Sequence, residues 1–516
     1  MKPQIVNIIN FIRDVEPRAE VDLVTPVKEQ IALMQKLRLR GTFLMQYDSL
    51  LDPVFTDMLR ALDKTQFEIG VWLEIVQPQT EAAGIEWRGR YPWDWHSNVG
   101  FSVGYTMPER ERLIDALFAK FKEVFGYYPR SLGSWAFDAH TVRYASEKYG
   151  LDAFCNCKEQ YGTDGYTLWG GYYGQGYYPC KNNVHAPAQS KAEQINTPVF
   201  KMLGSDPIYQ YDFGMKADGG PQSVQGVVTL EPVYAGASGG GGVPAWVDWY
   251  LNENFSGRCL SFGYAQAGQE NSFGWDSMKN GLTYQFGRFA ELQKQGKLIC
   301  EQLCETGRRY KQTYETTPTS TVTALTDWSE GEHKSVWYSC ARYRINVYAE
   351  RKRFWIRDIY LFRDGYREKY FDELCTNEKL TFDNPPYVDG NVFSGHGVRA
   401  GLYPFTEDGM ALTFDSFDYK EIGDDTVIIT LSGTQCGSFV IEITPNGFKA
   451  TAERDFIFKN MYDAASPIPK KLSCDEKTLR LEHRKFHYEI KLSEGRFISP
   501  DEAVSSGCSI EYLLGQ

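Results

Sequence analysis

The chain has 516 residues, and its 55 Lys and Arg against 67 Asp and Glu give a net charge of −12. At roughly 100–200 residues per domain, this length predicts two to four domains with large buried cores. The 42% hydrophobic and 24% charged residues exclude a disordered chain. The acidic balance argues against nucleic acid and anionic membranes as partners, because both favour excess Lys and Arg. No apolar run approaches the ~18 residues of a membrane span.

The amino-terminal residues 1–14 carry no signal-peptide pattern, because Asn7 and Asn10 interrupt their short apolar run. The 11 cysteines are an odd number and lack the paired C-x-x-C spacing of a zinc site. We therefore predict reduced thiols in a cytoplasmic protein that has no cofactor.

Strand and helix patterns alternate through about residue 315. The predicted strands cover 5–12, 41–47, 67–75, 130–137, 152–158, 199–206 and 258–266. The predicted helices cover 27–37, 53–63, 107–126, 141–150 and 278–297. Seven such units predict an α/β domain, either a (β/α)7-type parallel barrel or a doubly wound sheet, and we favour the barrel over residues 1–315.

Two long connections, 75–107 and 158–198, are rich in Trp, Tyr and Gly. Loops of this length in a compact domain are usually functional. A third stretch, 207–257, looks irregular and contains four consecutive glycines at 239–242. Because no Gly-Lys-Ser/Thr follows them, a phosphate loop is improbable, and we interpret the glycine run as a flexible segment.

From about residue 318 the pattern changes to alternating β-branched and aromatic runs divided by turn residues. Helical periodicity almost disappears. We therefore predict that residues 316–516 form a C-terminal antiparallel β-sandwich domain.

Aromatic residues are in excess, with 12 Trp, 33 Tyr and 31 Phe. Trp and Tyr combine an apolar face with a polar tip and so suit amphipathic ligands such as sugars. The same excess would also fit a Trp-rich core or the interface of a homo-oligomer. The segment 85–98 holds three tryptophans beside charged residues, and we predict that it folds over the barrel mouth as one wall of a sugar pocket.

Acidic residues stand at nearly every predicted strand end, which is where parallel barrels place their catalytic groups. One such carboxylate is usually a helix cap or a solvated charge, but so many around one rim favours chemistry. The candidates for catalysis are Glu74, Asp138, Asp164, Asp206 and Glu270. The candidates for substrate contact are Asp14, Glu16, Trp72, Trp87, Trp93, Trp95, His96, Trp135, His140, Trp169, Gln269 and Asn271.

Cleavage of a glycosidic bond requires two carboxyl groups, one to protonate the leaving oxygen and one to activate water or attack the anomeric carbon. Trp72 precedes Glu74 by two residues, and Trp135 precedes Asp138 by three. A tryptophan beside a carboxyl raises its pKa by desolvation, which suits a general acid. We therefore predict Glu74 and Asp138 as the catalytic pair.

The competing interpretation makes Glu74 structural, in an ion pair with Arg13 or Arg88. The nucleophile would then be Asp164, Asp206 or Glu270. Three histidines, His96, His140 and His185, fall in the barrel region, and these three form no HxH, HxxxH or HExxH spacing. We therefore predict no metal at the rim.

The order of strands and strand-end residues over about residues 1–310 resembles the glycoside hydrolase/deacetylase superfamily of seven-stranded barrels. A NodB-like deacetylase of this superfamily has an Asp-Asp pair after strand one and His-x-x-x-His after strand three. Here strand one ends in Arg13-Asp14-Val15-Glu16 and strand three in Trp72-Leu73-Glu74, without the histidines. The resemblance therefore favours the glycosidase branch, and implies Glu74 as nucleophile and Asp138 as acid/base.

Segments 162–173, 202–212 and 268–275 also resemble a bacterial family of unknown function that has a barrel followed by a β domain. Together these patterns predict a carbohydrate-active hydrolase that cleaves an oligosaccharide or glycoside. One alternative is a metal-dependent polysaccharide deacetylase that uses Asp14, Asp138 and His140. Another is a non-catalytic sugar-binding protein whose rim carboxylates only bind hydroxyl groups.

Overall fold

Residues 2–215 and 224–515 are described by the structure, which is a computed structural model. Seven strands form its barrel: β1 (Gln4–Ile12), β2 (Gly41–Met45), β3 (Phe67–Trp72), β4 (Ser131–Ser134), β5 (Ala153–Asn156), β6 (Val199–Lys201) and β7 (Gly263–Ala267). They are parallel, in the order β7-β1-β2-β3-β4-β5-β6. Just past β6, the Gly204 amide donates to the Gln266 carbonyl at 3.3 Å, so the barrel is nearly closed. The predicted seven-stranded barrel is confirmed.

An eighth short strand, Ile299–Glu301, pairs with the first half of β1. The helices are α1 (Val24–Leu37), α2 (Pro53–Arg60), α3 (Gln77–Ala82), α4 (Ser97–Gly100), α5 (Met107–Phe125), α6 (Ala139–Tyr149), α7 (Pro244–Asn254), α8 (Trp275–Lys294), α9 (Leu303–Thr313) and α10 (Lys369–Asp372). The side chains of Thr106 and Glu109 form a capping box at the start of α5, and Gly126 ends that helix with φ of +81°. No helix in the described residues is long and apolar enough to cross a membrane.

The stretch 207–257 differs from its expected irregular structure, because it contains α7. Pro244 stands in the first turn of that helix, where its missing N–H costs nothing. The preceding glycine run is a packed turn and not the flexible segment that we expected. A Cβ at Gly241 would lie 2.3 Å from the carbonyl oxygen of Leu230, so only glycine fits there. Residues 216–223 of this stretch lie outside the described residues.

Two large antiparallel sheets follow the barrel. The first contains Ser320–Ala324, His333–Ser339, Tyr343–Glu350, Arg353–Leu361, Pro386–Asp389, Gly401–Thr406, Phe456–Met461, Arg496–Ser499 and Glu502–Val504. The second contains Ser416–Ile422, Thr426–Thr434, Gly437–Thr444, Gly447–Thr451, Lys470–Cys474, Thr478–His483, Phe486–Glu494 and Ser509–Leu513. Ile345 and Ile356 of the first sheet share one buried core with Ile429 and Ile441 of the second. The predicted β-sandwich is therefore confirmed.

The sandwich packs directly on the long insertion between β5 and β6, which contains the short strands Tyr166–Leu168, Pro179–Cys180 and Asn183–Pro187. The strand Leu380–Phe382 pairs in parallel with Tyr166–Leu168. Nearby, Tyr173 stacks on Trp337 with ring centres 3.9 Å apart. The insertion is thus fixed between the barrel and the sandwich, and its first residues are held at the barrel mouth.

Candidate active site

A cavity of about 350 Å³ opens at the carboxyl ends of the barrel strands. Its wall combines carboxylates, cations and aromatic rings from four parts of the chain. The polar and aromatic lining residues include Arg13, Arg18, Glu74, Trp135, Lys158 and Glu270 after the strands, Trp93, Trp95 and His96 from the 85–98 loop, Gln160, Asp164, Tyr166, Glu231 and Tyr234 from the insertions, and Glu378 and Lys379.

Arg13 joins two of the predicted carboxylates. Its Nη2 donates to Oε2 of Glu74 at 3.1 Å and to Oε2 of Glu270 at 3.0 Å. The three side chains follow β1, β3 and β7, so the barrel itself brings them together. All three are at least 95% buried. The structure therefore contains the ion pair between Glu74 and Arg13 that the competing interpretation required, and it places that pair in the cavity.

The two carboxylates differ in their other partners. Glu74 Oε2 also accepts a hydrogen bond from the Trp72 indole at 2.8 Å, and burial raises the pKa of Glu74 although Arg13 opposes the shift. Glu270 Oε1 accepts a hydrogen bond from the Ser272 hydroxyl. Within the described residues, Oε1 of Glu74 has no hydrogen-bond partner. Glu74 therefore has an acid-like environment and one oxygen available to a ligand.

Asn271 and Trp93 hold Arg13 in place. The Asn271 side chain donates to the Arg13 carbonyl at 2.8 Å and accepts from the Arg13 amide at 3.0 Å. The Trp93 ring lies 4.0 Å from the guanidinium carbon, which is a cation–π contact. Asn271, predicted as a substrate contact, thus positions the arginine from behind.

The cavity has a second polar end. Glu231 accepts a hydrogen bond from the Gln269 amide at 3.0 Å, and burial raises the pKa of Glu231 to about 7. Lys158 is 3% exposed, and its ammonium donates to Gln160 at 3.3 Å. Burial also lowers the pKa of Lys158. Gln269, another predicted substrate contact, therefore contacts the cavity-lining residue Glu231.

The loop 85–98 supplies part of the wall. Trp95 is half-buried and stacks on Tyr91 with ring centres 5.8 Å apart. His96 Nδ1 lies 2.5 Å from Asp94 Oδ1, so a buried carboxylate orients this ring. Trp87 is not among the residues lining the cavity, and its indole donates to the Tyr91 carbonyl at 2.9 Å. The loop thus brings Trp93, Trp95 and His96 to the cavity and leaves Trp87 outside.

Asp138 is separated from this cavity. It is fully buried and pairs with Arg110 at 2.9 Å, and it accepts hydrogen bonds from Ser102 and from the Thr141 amide and hydroxyl. The bond to the Thr141 amide makes Asp138 the N-cap of α6. Burial alone would raise its pKa, but Arg110 and these hydrogen bonds lower the pKa of Asp138. The structure does not bring Asp138 together with Glu74, and every partner points to a structural role.

Asp206 and Asp164 also differ from each other. Asp206 is fully buried and accepts hydrogen bonds from the Trp246 indole and from the amides of Ile208 and Tyr209, outside the cavity. Burial raises the pKa of Asp206 to about 6. Asp164 lines the cavity but is exposed, with φ of +54°. Asp164 therefore lies at the rim of the cavity and Asp206 lies outside it.

The three residues of the deacetylase alternative have separate surroundings. The Asp14 amide donates to the Asp48 carboxylate at 3.1 Å, and burial together with Asp52 raises the pKa of Asp14 to about 6. His140 Nε2 lies 3.0 Å from Glu111, and Asp138 pairs as described above. Over residues 2–215 and 224–515, no group of three or more His, Cys, Asp or Glu side chains could hold a metal ion. These residues do not form the proposed metal site.

The remaining predicted contacts lie behind the cavity wall or beside it. Trp72 is fully buried and stacks on Phe11 at 4.0 Å, while Trp135 packs edge-on against it and reaches the cavity. Trp169 is buried and donates to Asp389 of the sandwich at 2.7 Å. Glu16 forms an ion pair with Arg18 at 2.5 Å and is not among the cavity-lining residues.

Sequence reasoning missed Lys158 and Glu231 as site residues. Lys158 is the last residue of the fifth predicted strand, so the strand-end rule could have included it, but only acidic groups were taken as catalytic candidates. Glu231 ends the apolar run Val227–Leu230 inside the stretch expected to be irregular, where no strand predicted its direction. Only the folded chain places it beside Gln269.

Three comparisons with known proteins bear on this site. A family model described as a domain of unknown function with a solved structure, DUF3863, matches residues 98–325. No curated protein sequence matches the chain. A crystal structure from Parabacteroides distasonis, provisionally described as a glycoside hydrolase/deacetylase, has a TM-score of 0.55 and 15% identity, covering 74% of this chain and 91% of that one. The two chains share a fold, so the expected resemblance to glycoside hydrolase/deacetylase barrels is confirmed at the level of the fold.

Weaker likenesses occur to two further structures. A protein from Mycobacterium smegmatis, provisionally described as a polysaccharide deacetylase, has a TM-score of 0.36 and 11% identity, covering 60% of this chain and 91% of that one. A branching enzyme from Thermococcus kodakaraensis, in complex with glucose, has a TM-score of 0.32 and 11% identity, covering 61% of this chain and 71% of that one.

Proposed function

We propose that this protein is a carbohydrate-active hydrolase that cleaves a glycosidic bond with retention of configuration. The observation that carries the proposal is the sharing of one Arg13 nitrogen by Glu74 and Glu270 inside a cavity with aromatic walls. The Parabacteroides distasonis protein with the same fold is provisionally described as a glycoside hydrolase/deacetylase, which supports the substrate class. The sequence-predicted pair is thereby revised from Glu74 and Asp138 to Glu74 and Glu270.

The separation of the two carboxylates supports retention. Their Oε2 atoms lie 3.1 and 3.0 Å from the same nitrogen, so they can be no further apart than these two distances laid end to end. Inverting enzymes need about 6.5–9.5 Å between their carboxyl groups to hold a water molecule, and retaining enzymes need about 5–5.5 Å. The bound on the two Oε2 atoms lies below the inverting range, which supports a nucleophile and an acid/base acting on one bond.

The surroundings of each carboxylate suggest its role. Glu74 has a pKa raised by burial, as a proton donor near neutral pH requires. Glu270 is held by Arg13 and Ser272, which orient it for attack. Arg13 supplies the positive charge that both acids share.

In the first step, a Glu270 oxygen attacks the anomeric carbon while the Glu74 proton moves to the leaving glycosidic oxygen. The bond to the aglycone breaks, and a glycosyl ester of Glu270 remains. In the second step, the Glu74 carboxylate removes a proton from water, which attacks the same carbon. Glu270 leaves as the carboxylate, and Glu74 regains its proton.

The test is hydrolysis of a panel of aryl glycosides, with the product anomer followed by NMR. We expect the first-formed product to retain its configuration. Glu270→Gln should lower the rate by more than 10⁴-fold, and Glu74→Gln by about 10²–10⁴-fold. Glu74→Gln should lose least on substrates whose leaving group needs no protonation.

Glu111→Gln is the matched control, because Glu111 contacts His140 outside the cavity and should keep the wild-type rate. An inverted product would reject the retaining pair. Sugar binding without hydrolysis of any glycoside would reject the enzyme and favour the non-catalytic sugar-binding alternative.

A further inference from the structure

Lys158 is a buried cation without a matching anion. It follows β5, which lies far from β1 in the strand order of the barrel, so it stands apart from the Arg13 cluster. Its side chain lines the cavity, and its ammonium has the neutral Gln160 amide oxygen as partner at 3.3 Å. Among residues 2–215 and 224–515, no carboxylate oxygen lies within ion-pair distance of it. The acidic groups whose charge acts on it are Cys157, Glu231, Asp164 and Glu159.

A second buried lysine shows how this fold otherwise treats such a group. Lys201 is also about 95% buried, and its ammonium lies 3.5 Å from Glu159. Glu159 in turn pairs with Arg344 at 2.9 Å. Burying an unpaired ammonium is costly because it loses its hydration without gaining a counter-charge. Lys201 avoids that cost within the protein, whereas Lys158 does not.

The groups around Lys158 do not supply the missing charge. Burial raises the pKa of Glu231 to about 7, so this carboxyl is largely protonated at slightly acidic pH and acts as a neutral hydrogen-bond partner. Gln160 is an amide, and Asp164 is exposed at the rim. The end of the cavity at Lys158 is therefore suited to a ligand that brings one negative charge and several hydroxyl groups.

We propose that Lys158 binds a carboxylate of the substrate, so that the cavity accepts a uronic acid or another acidic sugar. Of the other cations that line the cavity, Arg13 and Arg18 pair with carboxylates and Lys379 is exposed. A single buried ammonium matches one carboxylate, whereas a phosphate dianion would call for further buried cations or amides. The catalytic consequence, hydrolysis of a uronide, rests on the proposed function, but binding of the acidic sugar does not. The Arg13 cluster would act on the glycosidic bond while Lys158 selects the sugar.

The test is calorimetric titration of the whole protein with glucuronate and galacturonate, and with glucose, galactose and glucose 6-phosphate. Both uronates should bind on the order of 10- to 100-fold more tightly than the neutral sugars, the range expected for a hydrogen bond to a charged group. Lys158→Met should abolish this preference. Lys158→Gln is a second variant that keeps a polar group and should behave in the same way.

Lys201→Met is the matched control, since Lys201 is equally buried but does not line this cavity. It should keep the preference for uronates. Equal affinity for acidic and neutral sugars, an unchanged preference in Lys158→Met, or tighter binding of glucose 6-phosphate than of glucuronate would each overturn the proposal. Absence of binding by every sugar would overturn it as well.

Thermal unfolding separates a binding role from a structural one. Lys158→Met should raise the melting temperature, because it removes an unpaired buried charge, while Lys201→Met should lower it by leaving Glu159 with one cation fewer. A lower melting temperature for Lys158→Met would assign Lys158 to the structure. Uronate binding without uronide hydrolysis would reject the proposed hydrolysis and keep the acidic-sugar site. Hydrolysis of neutral glycosides but not of uronides would reject the acidic-sugar site and keep the proposed hydrolysis.

Discussion

Two carboxylate–arginine clusters stand on the same rim of the barrel and differ in what they leave available. Asp138 and Arg110 lie outside the cavity, and Asp138 accepts hydrogen bonds from Ser102 and Thr141 as well. Glu74 shares a single Arg13 nitrogen with another carboxylate and keeps one oxygen without a partner in the described residues. In the first cluster, the protein supplies hydrogen-bond donors to both carboxylate oxygens of Asp138. In the second, one oxygen of Glu74 is available to a ligand.

This difference shows that position at a strand end does not by itself indicate catalysis. Both acids follow neighbouring strands, and both have an arginine within 3.1 Å. What separates them is the number of donors that the fold directs at each carboxylate. Arg110 and the hydrogen bonds from Ser102 and Thr141 lower the pKa of Asp138, while burial raises the pKa of Glu74 against the opposing effects of Arg13 and the Trp72 hydrogen bond. Opposite pKa shifts therefore accompany the opposite roles that we propose for the two acids.

The largest effect on stability should come from Asp138→Asn. This change leaves Arg110 buried without its anion, which typically costs about 3–5 kcal/mol. Because the folded pKa of Asp138 is lowered, its stabilising contribution is present above the unfolded value of 3.8 and is lost as the pH falls through the folded value. Urea unfolding at pH 7 and pH 3 should therefore show a large difference from the wild type that shrinks in acid.

The folded fraction of Asp138→Asn should keep its turnover rate, since Asp138 does not line the cavity. If Asp138→Asn instead kept the wild-type free energy of unfolding and lost its turnover rate, Asp138 would belong to the catalytic pair. Asp57→Asn on the exposed face of α2 is a matched control and should change neither quantity.

Glu231→Gln should raise the free energy of unfolding, which is the opposite of the effect of Asp138→Asn. The pKa of Glu231 is about 7 in the folded protein against 4.5 in the unfolded chain. Between these values the unfolded chain releases its proton while the folded protein retains it, so wild-type stability falls as the pH rises through this window. The shift corresponds to on the order of 3 kcal/mol. Glu231→Gln lacks this group and should be more stable than the wild type at pH 8.

At pH 4 the two proteins should unfold at the same urea concentration, because Glu231 is then protonated in both states. A variant that is less stable at pH 8 would show that Glu231 is an ionised structural partner, as Asp138 is. The contrast between Asp138 and the carboxylates of the cavity would then rest on the Arg13 cluster alone.

Much of this arrangement could be predicted from local sequence patterns. The barrel strands follow apolar runs, so the rule that chemistry sits at strand ends found Glu74 and Glu270. The same rule could not rank Asp138 below them, although an Asp just before a helix is itself an N-cap signal. Glu231 and the pairing of Lys158 depend on contacts between residues far apart in the chain. Those contacts follow from how the insertions pack, which no local pattern determines.

The smallest effect should come from Trp95→Ala, which extends the comparison from carboxylates to aromatic rings. Trp95 is half-buried at the cavity and contacts Tyr91, so its loss should weaken sugar binding by up to about 10-fold and change the melting temperature little. Trp93 is 2% exposed under Arg13, and Trp93→Ala should lose binding and about 3–5 kcal/mol of stability together. The measurement is the dissociation constant of the bound sugar beside the melting temperature for both variants. Equal stability losses at the two positions would show that Trp95 is as structural as Trp93. The aromatic contact with the sugar would then have to come from Trp135, which follows β4 and lines the cavity.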